Sequence, residues 1–302
     1  MIPIFPKFKL LEIDDRPEIE SYLASQPPYS DFIFSSLWSW DIKSEVELSN
    51  LNGNLIIKFP AYSGEKTFFT FLGNEDIENT IETLLTHSKK LGLEETLQLL
   101  PEHNFANTPI HSLEAKFSIS EDRDNFDYIL STENLSTMSG SKLYRKKKQL
   151  AHFLEKHQGV VVLEDITNPE IQKKILDFVR FWEKNHSQPE SINKNEWFAI
   201  EKILKLSKHI EMLVMFVYVK DQIVGFSIFE LLKNGYAVHA FQKADHKYSG
   251  IYEFLNHNVA KHLKDLNIPH LNIEQDLGIN GLRQAKTAYN PTFLKKYTVT
   301  RK

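Results

Sequence analysis

The sequence passes twice through the same order of predicted elements, and this repetition restricts the fold more than any other feature. In the first half, EVELSNLNGNLIIKF predicts two antiparallel strands around a turn at residues 52–54, and TFFTFLG predicts a third strand. Apolar residues at helical spacing then predict a helix over residues 77–93. The apolar run TLQLL, residues 96–100, predicts a buried strand.

The second half repeats this order. MLVMFVYVKDQIVGFSIFELL predicts a hairpin with its turn at residues 220–222, and GYAVHAFQKA predicts the third strand. Residues 251–268 predict the helix and PHLNIEQ, residues 269–275, predicts the last strand. The turn, the helix centre and the last strand each recur about 168 to 175 residues after their counterparts. We therefore predict an α/β (α+β) protein of two tandem units, each with a mixed, mostly antiparallel sheet flanked by helices.

The two predicted units meet in a polar, acidic segment over residues 118–141, which also contains helix-cap residues. We place the first unit at residues 1–120 and the second at residues 121–302. The helix of the first unit starts near residues 74–79, which hold no basic or glycine cluster. The first unit is therefore predicted to be non-catalytic, and the candidate site residues all fall in the second.

Composition excludes several classes of protein. The 302 residues carry a formal net charge of −4, which argues against a wholly basic nucleic-acid binder. There is no cysteine, so disulfides, thiolate metal sites and cysteine nucleophiles are excluded. The N-terminus lacks the layout of a signal peptide, and the longest apolar run is far shorter than the roughly 20 residues of a membrane helix. We expect a cytoplasmic protein.

A basic helix is predicted after the polar segment, in KLYRKKKQLAHFLEKHQG. Arg145, Lys146, Lys147 and Lys148 are consecutive, so they wrap most of a helical turn and some must face the protein or a cleft. Adjacent cations repel one another, and the phosphates of RNA, a nucleotide cofactor or a lipid headgroup would relieve that repulsion. A solvated helix face is the alternative interpretation. If a ligand binds, Tyr144, Arg145, Lys147 and Lys148 are predicted to line its approach.

The loop ADHKYSGIYEFL links a predicted strand to a helix. Gly250 lies just before the helix, where backbone N–H groups can hold an anion such as the pyrophosphate of an acyl-CoA. The usual Q/R-x-x-G-x-G/A pattern keeps only this first glycine, because Tyr252 stands at the second small position. A simple helix start explains the same residues.

The stretch EQDLGINGLRQAK combines acids, glycines and cations after the last strand. Glu274 and Asp276, two apart on a strand end, are predicted to project to one side, although Asp276 could instead cap the next helix. The other residues assigned to this candidate site are two glycines that permit positive φ or close backbone approach and two cations that share a helix face: Gly278, Gly281, Arg283 and Lys286. Such a face suits a site that orients an amine nucleophile and holds an anionic group.

Other common sites are not indicated. The histidine pairs His152/His157 and His257/His262 are each five apart, which is off a single helix face, so no metal site is expected. G-x-S-x-G, Walker A and Rossmann fingerprints are absent from the sequence.

Three segments carry a resemblance to a known family. DNFDYILSTENLSTMSGSKLYRKKKQLAHFLEKH holds an Asp-Tyr-Ile stretch, a Leu-x-x-Leu-x-Gly-x-Lys-like turn and a basic helix ending near a Phe. EQDLGINGLRQAKTAYNPTFLKKY holds an acid pair, Gly-x-x-Gly-Leu-Arg-x-x-Lys and Tyr-x-Pro, and FSSLWSWDIKSEVELSNLNGNLIIKF holds Phe-x-x-Leu-x-x-Trp before a hairpin. In these motifs the sequence resembles the lysylphosphatidylglycerol synthetase C-terminal family from about residue 32 to residue 297. It departs at Lys147-Lys148, where the family often has Arg-Asn.

The resemblance implies two tandem acetyltransferase-like (GNAT) units that transfer an aminoacyl group from a charged tRNA to an amine or hydroxyl acceptor. The peptidoglycan-bridge aminoacyltransferases are similar in architecture. Such enzymes need no CoA, so no tightly bound cofactor is expected. The donor would be aminoacyl-tRNA, contacted by the basic helix, and the acceptor a small molecule or a lipid headgroup.

The resulting hypothesis is acyl transfer in the second unit. Glu274 or Asp276 would accept a proton from the acceptor, and backbone N–H groups of residues 236–242 would polarise the acyl carbonyl. Arg283 and Lys286 would hold a phosphate or a substrate carboxylate. Two other functions stay open: an acyl-CoA-dependent N-acyltransferase with a pantetheine slot between splayed strands, and a non-catalytic module that binds RNA or an anionic metabolite.

Overall fold

The computed structural model describes residues 1–60, 67–185 and 190–302, with the backbone alone at residues 190–193. The chain divides into two units, and neither is continuous in sequence. The first contains Met1–Asp127, Gln275–Ile279 and Phe293–Lys302, and the second contains Tyr128–Glu274 and Asn280–Thr292.

The first unit is built on a seven-stranded sheet of order β1-β2-β3-β4-β5-β14-β6. Its strands are β1 (Lys9–Leu10), β2 (Glu47–Leu51), β3 (Asn54–Pro60), β4 (Thr67–Leu72), β5 (Thr96–Pro101), β6 (Phe117–Glu121) and β14 (Lys296–Arg301). Its helices are α1 (Arg16–Leu23), α2 (Phe34–Trp40), α3 (Ile77–Lys90) and α4 (Ile110–Leu113).

Local sequence explains the centre of this unit. The β2–β3 hairpin turns through Asn52 and Gly53, whose φ values of 55° and 83° are those that the Asn-Gly pair favours. In α3 the buried residues Ile77, Ile81 and Leu84 recur every three or four positions. They pack in one apolar cluster with residues of β3, β4, β5 and β14, which forms the core of the unit.

The second unit holds a seven-stranded sheet of order β13-β7-β12-β11-β10-β9-β8. Its strands are β7 (Asp127–Ser131), β8 (Val160–Glu164), β9 (Met212–Val219), β10 (Gln222–Leu231), β11 (Tyr236–Ala244), β12 (His270–Asn272) and β13 (Thr292–Leu294). Its helices are α5 (Thr132–Thr137), α6 (Tyr144–His157), α7 (Pro169–Asn185), α8 (Glu190–Leu206), α9 (Ile251–Asp265) and α10 (Asn280–Thr287).

The predicted fold is confirmed. Three antiparallel strands, a helix and a strand parallel to the third occur as β2-β3-β4-α3-β5 and again as β9-β10-β11-α9-β12. Each unit is therefore a GNAT-like mixed sheet flanked by helices. Within the described residues, no helix has the length and apolarity to cross a membrane.

The division of the chain differs from a single boundary at residue 120. The first unit continues to Asp127, and the C-terminal strand β14 pairs with both β5 and β6, so the end of the chain belongs to the first sheet. A repeat of element order cannot reveal such a returning strand, because β14 lies outside the repeated run of three strands, a helix and a strand.

Candidate functional site

The second sheet opens between β11 and β12. These parallel strands pair only over residues 236–238 and 270–272. β12 is shorter than the predicted strand 269–275, while β11 continues to Ala244. We call the space beyond the last pair, bordered by residues 239–242 and 272–274, the β11–β12 opening.

A β-bulge shapes the β11 side of this opening. Phe241 lies opposite Ile228 of β10 and His239 lies opposite Phe229, so Ala240 has no partner residue on β10. One extra residue reverses the alternation of side chains along a strand. The bulge therefore places His239 and Gln242, three residues apart, on the same face of the sheet.

That shared face is covered by α9. The Gln242 side chain donates a hydrogen bond to Oδ1 of Asn256 in α9 at 2.9 Å. Phe229, the neighbour of His239 across the strands, lies with its ring 6.2 Å from the ring of His262 in α9. Both β11 side chains thus enter a buried region between sheet and helix.

His239 is an uncharged polar group in that region. Burial and the nearby charge of Lys286 lower the pKa of His239 from 6.5 to about 3, so the ring is neutral at pH 7. Among the described residues, no group hydrogen-bonds to its Nε2 atom. A buried ring nitrogen without a partner is costly, and such groups concentrate at sites that bind or react.

Glu274 lies at the end of β12 with its backbone fixed on three sides. Its φ of 57° is unusual for a residue with a side chain. Its N–H donates to the Asn272 side chain at 2.7 Å, and its carbonyl accepts from the N–H of Tyr128 at 3.2 Å. Lys286 donates to the preceding carbonyl, of Ile273, at 2.5 Å. The backbone of Glu274, a half-buried residue, is thereby held beside the β11–β12 opening.

Asp276 has a different environment, in the first unit. Its side chain is 0% exposed, with Oδ2 3.1 Å from Nη1 of Arg123 and Oδ1 accepting the N–H of Gly278 at 2.9 Å. The prediction that Glu274 and Asp276 lie two apart on an extended strand end, and so project to one side, is wrong, because β12 ends at Asn272 and Glu274 is not extended. Asp276 caps the turn at Gly278, ahead of α10, rather than the helix itself.

The two glycines of this segment are not equivalent. Gly278 has a φ of 72°, and a Cβ there would lie 2.8 Å from Oδ2 of Asp124. Gly281 has open space around its Cβ position, so the fold does not require a glycine. Of the two cations on α10, Lys286 is committed to the Ile273 carbonyl, and Arg283 is half-buried.

The basic helix α6 presents its charges in two directions. Lys146 is buried, its Nζ 2.8 Å from Oε1 of Glu253 and 4.2 Å from the centre of the Tyr289 ring. Tyr144, Arg145, Lys147 and Lys148 are exposed, and Nζ of Lys148 lies 4.6 Å from the Tyr144 ring centre. The prediction that part of the run faces the protein is confirmed, and Lys146 is the residue that does so.

Protein groups pack closely around the N-terminus of α9. Gly250 has a φ of 88°, and a Cβ there would lie 2.2 Å from the backbone oxygen of Gln149 in α6, so this glycine permits close helix packing. Glu253, in the first turn of α9, is buried against Lys146. Tyr289 completes the arrangement: it accepts a hydrogen bond from Asn256 at 3.0 Å, and burial together with Glu253 raises its pKa.

The end of β11 is also covered. Nε1 of Trp182 donates to the Ala244 carbonyl at 3.1 Å. The Tyr252 hydroxyl hydrogen-bonds to the Ala244 backbone, and burial raises the pKa of Tyr252 to about 12. Tyr252, which stands where an acyl-CoA loop has its second small residue, therefore fills the strand end. In the described part of the chain, no three His, Asp or Glu side chains come together as metal ligands.

Sequence comparison decides the family. The profile described as "Phosphatidylglycerol lysyltransferase, C-terminal" matches residues 24–300. The chain belongs to this family. The expected resemblance is confirmed over nearly the whole sequence, and no functionally curated protein matches the chain.

Solved structures agree with this family assignment. A conserved protein of unknown function from Bacteroides thetaiotaomicron is 26% identical, with a TM-score of 0.84 and coverage of 100% of both chains. L-PGS from Bacillus licheniformis is 14% identical, with a TM-score of 0.62 over 96% of this chain and 94% of that one. FemX is 8% identical, with a TM-score of 0.56 over 97% and 96%. The chain, a member of this family, thus has an acyltransferase-like fold of two GNAT units.

Proposed function

We propose that the protein transfers an aminoacyl group from a charged tRNA to an amine or hydroxyl acceptor at the β11–β12 opening. The acceptor is a small molecule or a lipid headgroup, and the reaction takes place in the cytoplasm, where charged tRNA is found. Membership of the phosphatidylglycerol lysyltransferase C-terminal family supports a transferase. The choice of donor rests on the residues around α9.

The observation that carries the proposal is the close packing around the N-terminus of α9. An acyl-CoA donor needs backbone N–H groups there for its pyrophosphate. In this chain the first turn holds the buried Glu253, and Gly250 is pressed against the Gln149 carbonyl. Tyr252 and Trp182 both hydrogen-bond to the backbone of Ala244, at the end of β11 that leads into the loop before α9. These contacts favour a donor other than CoA.

The exposed side of α6 supplies a surface for phosphates. Arg145, Lys147 and Lys148 are exposed, whereas Lys146 is committed to Glu253. Tyr144, exposed beside Lys148, adds an aromatic face on which a base or ribose could pack. Several exposed cations on one helix favour a polyanionic donor such as tRNA over a single small anion.

Each step of the proposed transfer is assigned to a group near the opening. Glu274 accepts the proton of the acceptor amine or hydroxyl as that nucleophile attacks the ester carbonyl of the aminoacyl-tRNA. Backbone N–H groups of residues 239–242 stabilise the oxyanion, since residues 236–238 are already paired with β12. The tetrahedral intermediate expels the ribose hydroxyl, which takes up a proton, and the new amide or ester remains on the acceptor. Arg283 holds an anionic group of a substrate, and Lys286 positions Glu274 through Ile273.

The experiment is direct binding of labelled aminoacyl-tRNAs and acyl-CoAs at about 50 mM and about 200 mM salt, where phosphate contacts differ most. We expect salt-sensitive tRNA binding that is lost when Arg145, Lys147 and Lys148 are all replaced by Gln. A matched control replaces three exposed lysines of the same unit, Lys173, Lys174 and Lys208, and should bind like the wild type.

Two outcomes would contradict the proposal. Binding of CoA without tRNA would identify an acyl-CoA-dependent acyltransferase. Salt-sensitive RNA binding without transfer to any amine or hydroxyl acceptor, and unchanged by Glu274→Gln, would identify a non-catalytic binding module.

A further inference from the structure

A pocket of about 490 Å³ lies in the first unit, at the carboxyl end of β5. Three aromatic side chains line it: Tyr29, Phe105 and Tyr297. One carboxylate, that of Glu102, stands at the same wall. Among the described residues that line the pocket there is no lysine or arginine, and Glu102 is the one carboxylate; two histidines, His103 and His111, also line it.

The aromatic groups are fixed by their neighbours. The rings of Phe105 and Tyr297 meet edge to face, 5.6 Å apart at 78°, and form two nearly perpendicular walls. The Tyr29 hydroxyl accepts the N–H of His103 at 3.3 Å, and the Tyr297 hydroxyl donates to Glu102. Burial raises the pKa of both tyrosines, so both hydroxyls stay uncharged at neutral pH. Fixed aromatic rings beside a carboxylate are the groups that protein sites for organic cations use.

The position of the pocket in the fold supports a binding role. In the repeat, β5 corresponds to β12, the strand that follows the long helix of each unit. Glu102 directly follows β5, and Glu274 follows β12 by two residues. Strand ends at this point of an α/β sheet are where ligands bind. The first unit thus has a glutamate at the strand end that corresponds to the end of β12, and the pocket lies beside it toward β14, the strand that carries Tyr297.

We propose that this pocket binds a small organic ammonium ion. The positive group contacts the faces of Phe105, Tyr297 and Tyr29, and Glu102 supplies the opposite charge. Moving a cation from water into this pocket costs less free energy than moving it into an apolar pocket, because the ring faces and the carboxylate replace part of its hydration. The site is independent of the transfer reaction proposed for the second unit.

The test uses two probes of the same shape. Choline and 3,3-dimethyl-1-butanol differ only in the charged nitrogen that replaces a carbon, and each is titrated into the full chain with calorimetry or ligand-observed NMR. We expect choline to bind about tenfold more tightly than its neutral isostere. Glycerophosphocholine, titrated in parallel, identifies the source: tighter binding than choline indicates a lipid headgroup, and weaker binding indicates a free amine.

Variants locate the binding. Glu102→Gln should remove most of the preference for choline, and Glu114→Gln, which removes the same charge from an exposed position of the same unit, should not. Ala106→Trp, at an exposed residue of the pocket lining, should block both probes without disturbing the core. Equal binding of the two probes, no binding of either, or choline binding that survives both Glu102→Gln and Ala106→Trp would overturn the proposal. These outcomes are separate from transfer activity.

Discussion

The ammonium of Lys286 donates a hydrogen bond to the backbone carbonyl of Ile273 at 2.5 Å, one residue before Glu274. This contact fixes the turn that carries the proposed general base, and the same charge lowers the pKa of His239. Lys286→Met should therefore cost about 1–2 kcal/mol in the free energy of unfolding. It should also raise the pKa of His239, although burial, the larger cause, keeps that pKa below its ordinary value.

Urea unfolding and NMR titration of the imidazole signals measure both effects of Lys286→Met. Lys261→Met, at an exposed position of α9, is the matched control and should change neither quantity. Wild-type stability in Lys286→Met would show that the contact with Ile273 does not stabilise the fold. An unchanged pKa of His239 would show that the charge of Lys286 does not act on that ring.

The depressed pKa of His239 also predicts how stability depends on pH. The folded-state pKa of about 3 lies below the unfolded value of 6.5, so between these limits the unfolded chain binds the extra proton. Stability should be fully present above about pH 6.5 and fall as the pH drops, by about 2 kcal/mol between pH 7 and pH 5. The His239→Leu variant should lack this pH-dependent part of the stability. All other titrating groups are the same in the variant and the wild type. Parallel unfolding curves of the two proteins at both pH values make the comparison, and identical pH slopes would refute it.

The order of elements was predictable because local signals mark it. Asn52-Gly53 specifies a hairpin turn, and the apolar stripe of α3 specifies a helix and its buried face. The burial of Lys146 also has a signal in the sequence. Leu143, Lys146, Leu150 and Phe153 are spaced three and four residues apart, and all four are buried, so Lys146 falls on the inward stripe of α6.

Other features leave no local mark in the sequence. The bulge at Ala240 depends on the register between β10 and β11, and the partner of Lys146 is Glu253, more than 100 residues away. The different environments of Glu274 and Asp276 follow from where β12 ends, which pairing with β11 decides. Such features come from long-range contacts, which periodicity and spacing do not encode.

The two glycines near α10 should respond in opposite ways to alanine. Gly278→Ala must hold a side chain at a φ of 72° and 2.8 Å from the Asp124 carboxylate, so we expect a loss of about 1–3 kcal/mol. Gly281→Ala meets no neighbour and lies inside α10, so we expect no loss, or a gain of up to about 1 kcal/mol. Thermal unfolding of both variants decides, and equal effects at the two positions would contradict the assignment.

The buried pair of Lys146 and Glu253 should dominate the energetics of α6. Lys146→Met leaves a carboxylate buried without its cation, and Glu253→Gln leaves an ammonium buried without its anion. Each variant should lower the free energy of unfolding by about 3–5 kcal/mol. The double variant should lose less than the sum of the single losses, because it leaves no isolated charge. Lys147→Met, one residue along and exposed, is the control and should leave stability unchanged. Additive losses in this double-mutant cycle would show that the two charges do not interact.

Glu274 and Asp276 are equivalent in the sequence pattern, but their substitution should have different effects: one should lower the transfer rate and the other the stability. Glu274→Gln keeps the backbone contacts to Asn272 and Tyr128, so we expect a folded protein of near wild-type stability whose rate of aminoacyl transfer falls by about 10²–10⁴-fold. Asp276→Asn removes the charge that faces Arg123 in a fully buried position, so we expect a loss of about 1–3 kcal/mol of stability.

Below its own unfolding temperature, Asp276→Asn should retain a transfer rate close to that of the wild type, since Asp276 holds a turn and touches no reacting group. Single-turnover transfer from charged tRNA, measured beside chemical unfolding of the same preparations, tests both residues at once. Transfer abolished in Asp276→Asn but retained in Glu274→Gln would move the general base from the second unit to the first and reverse the assignment.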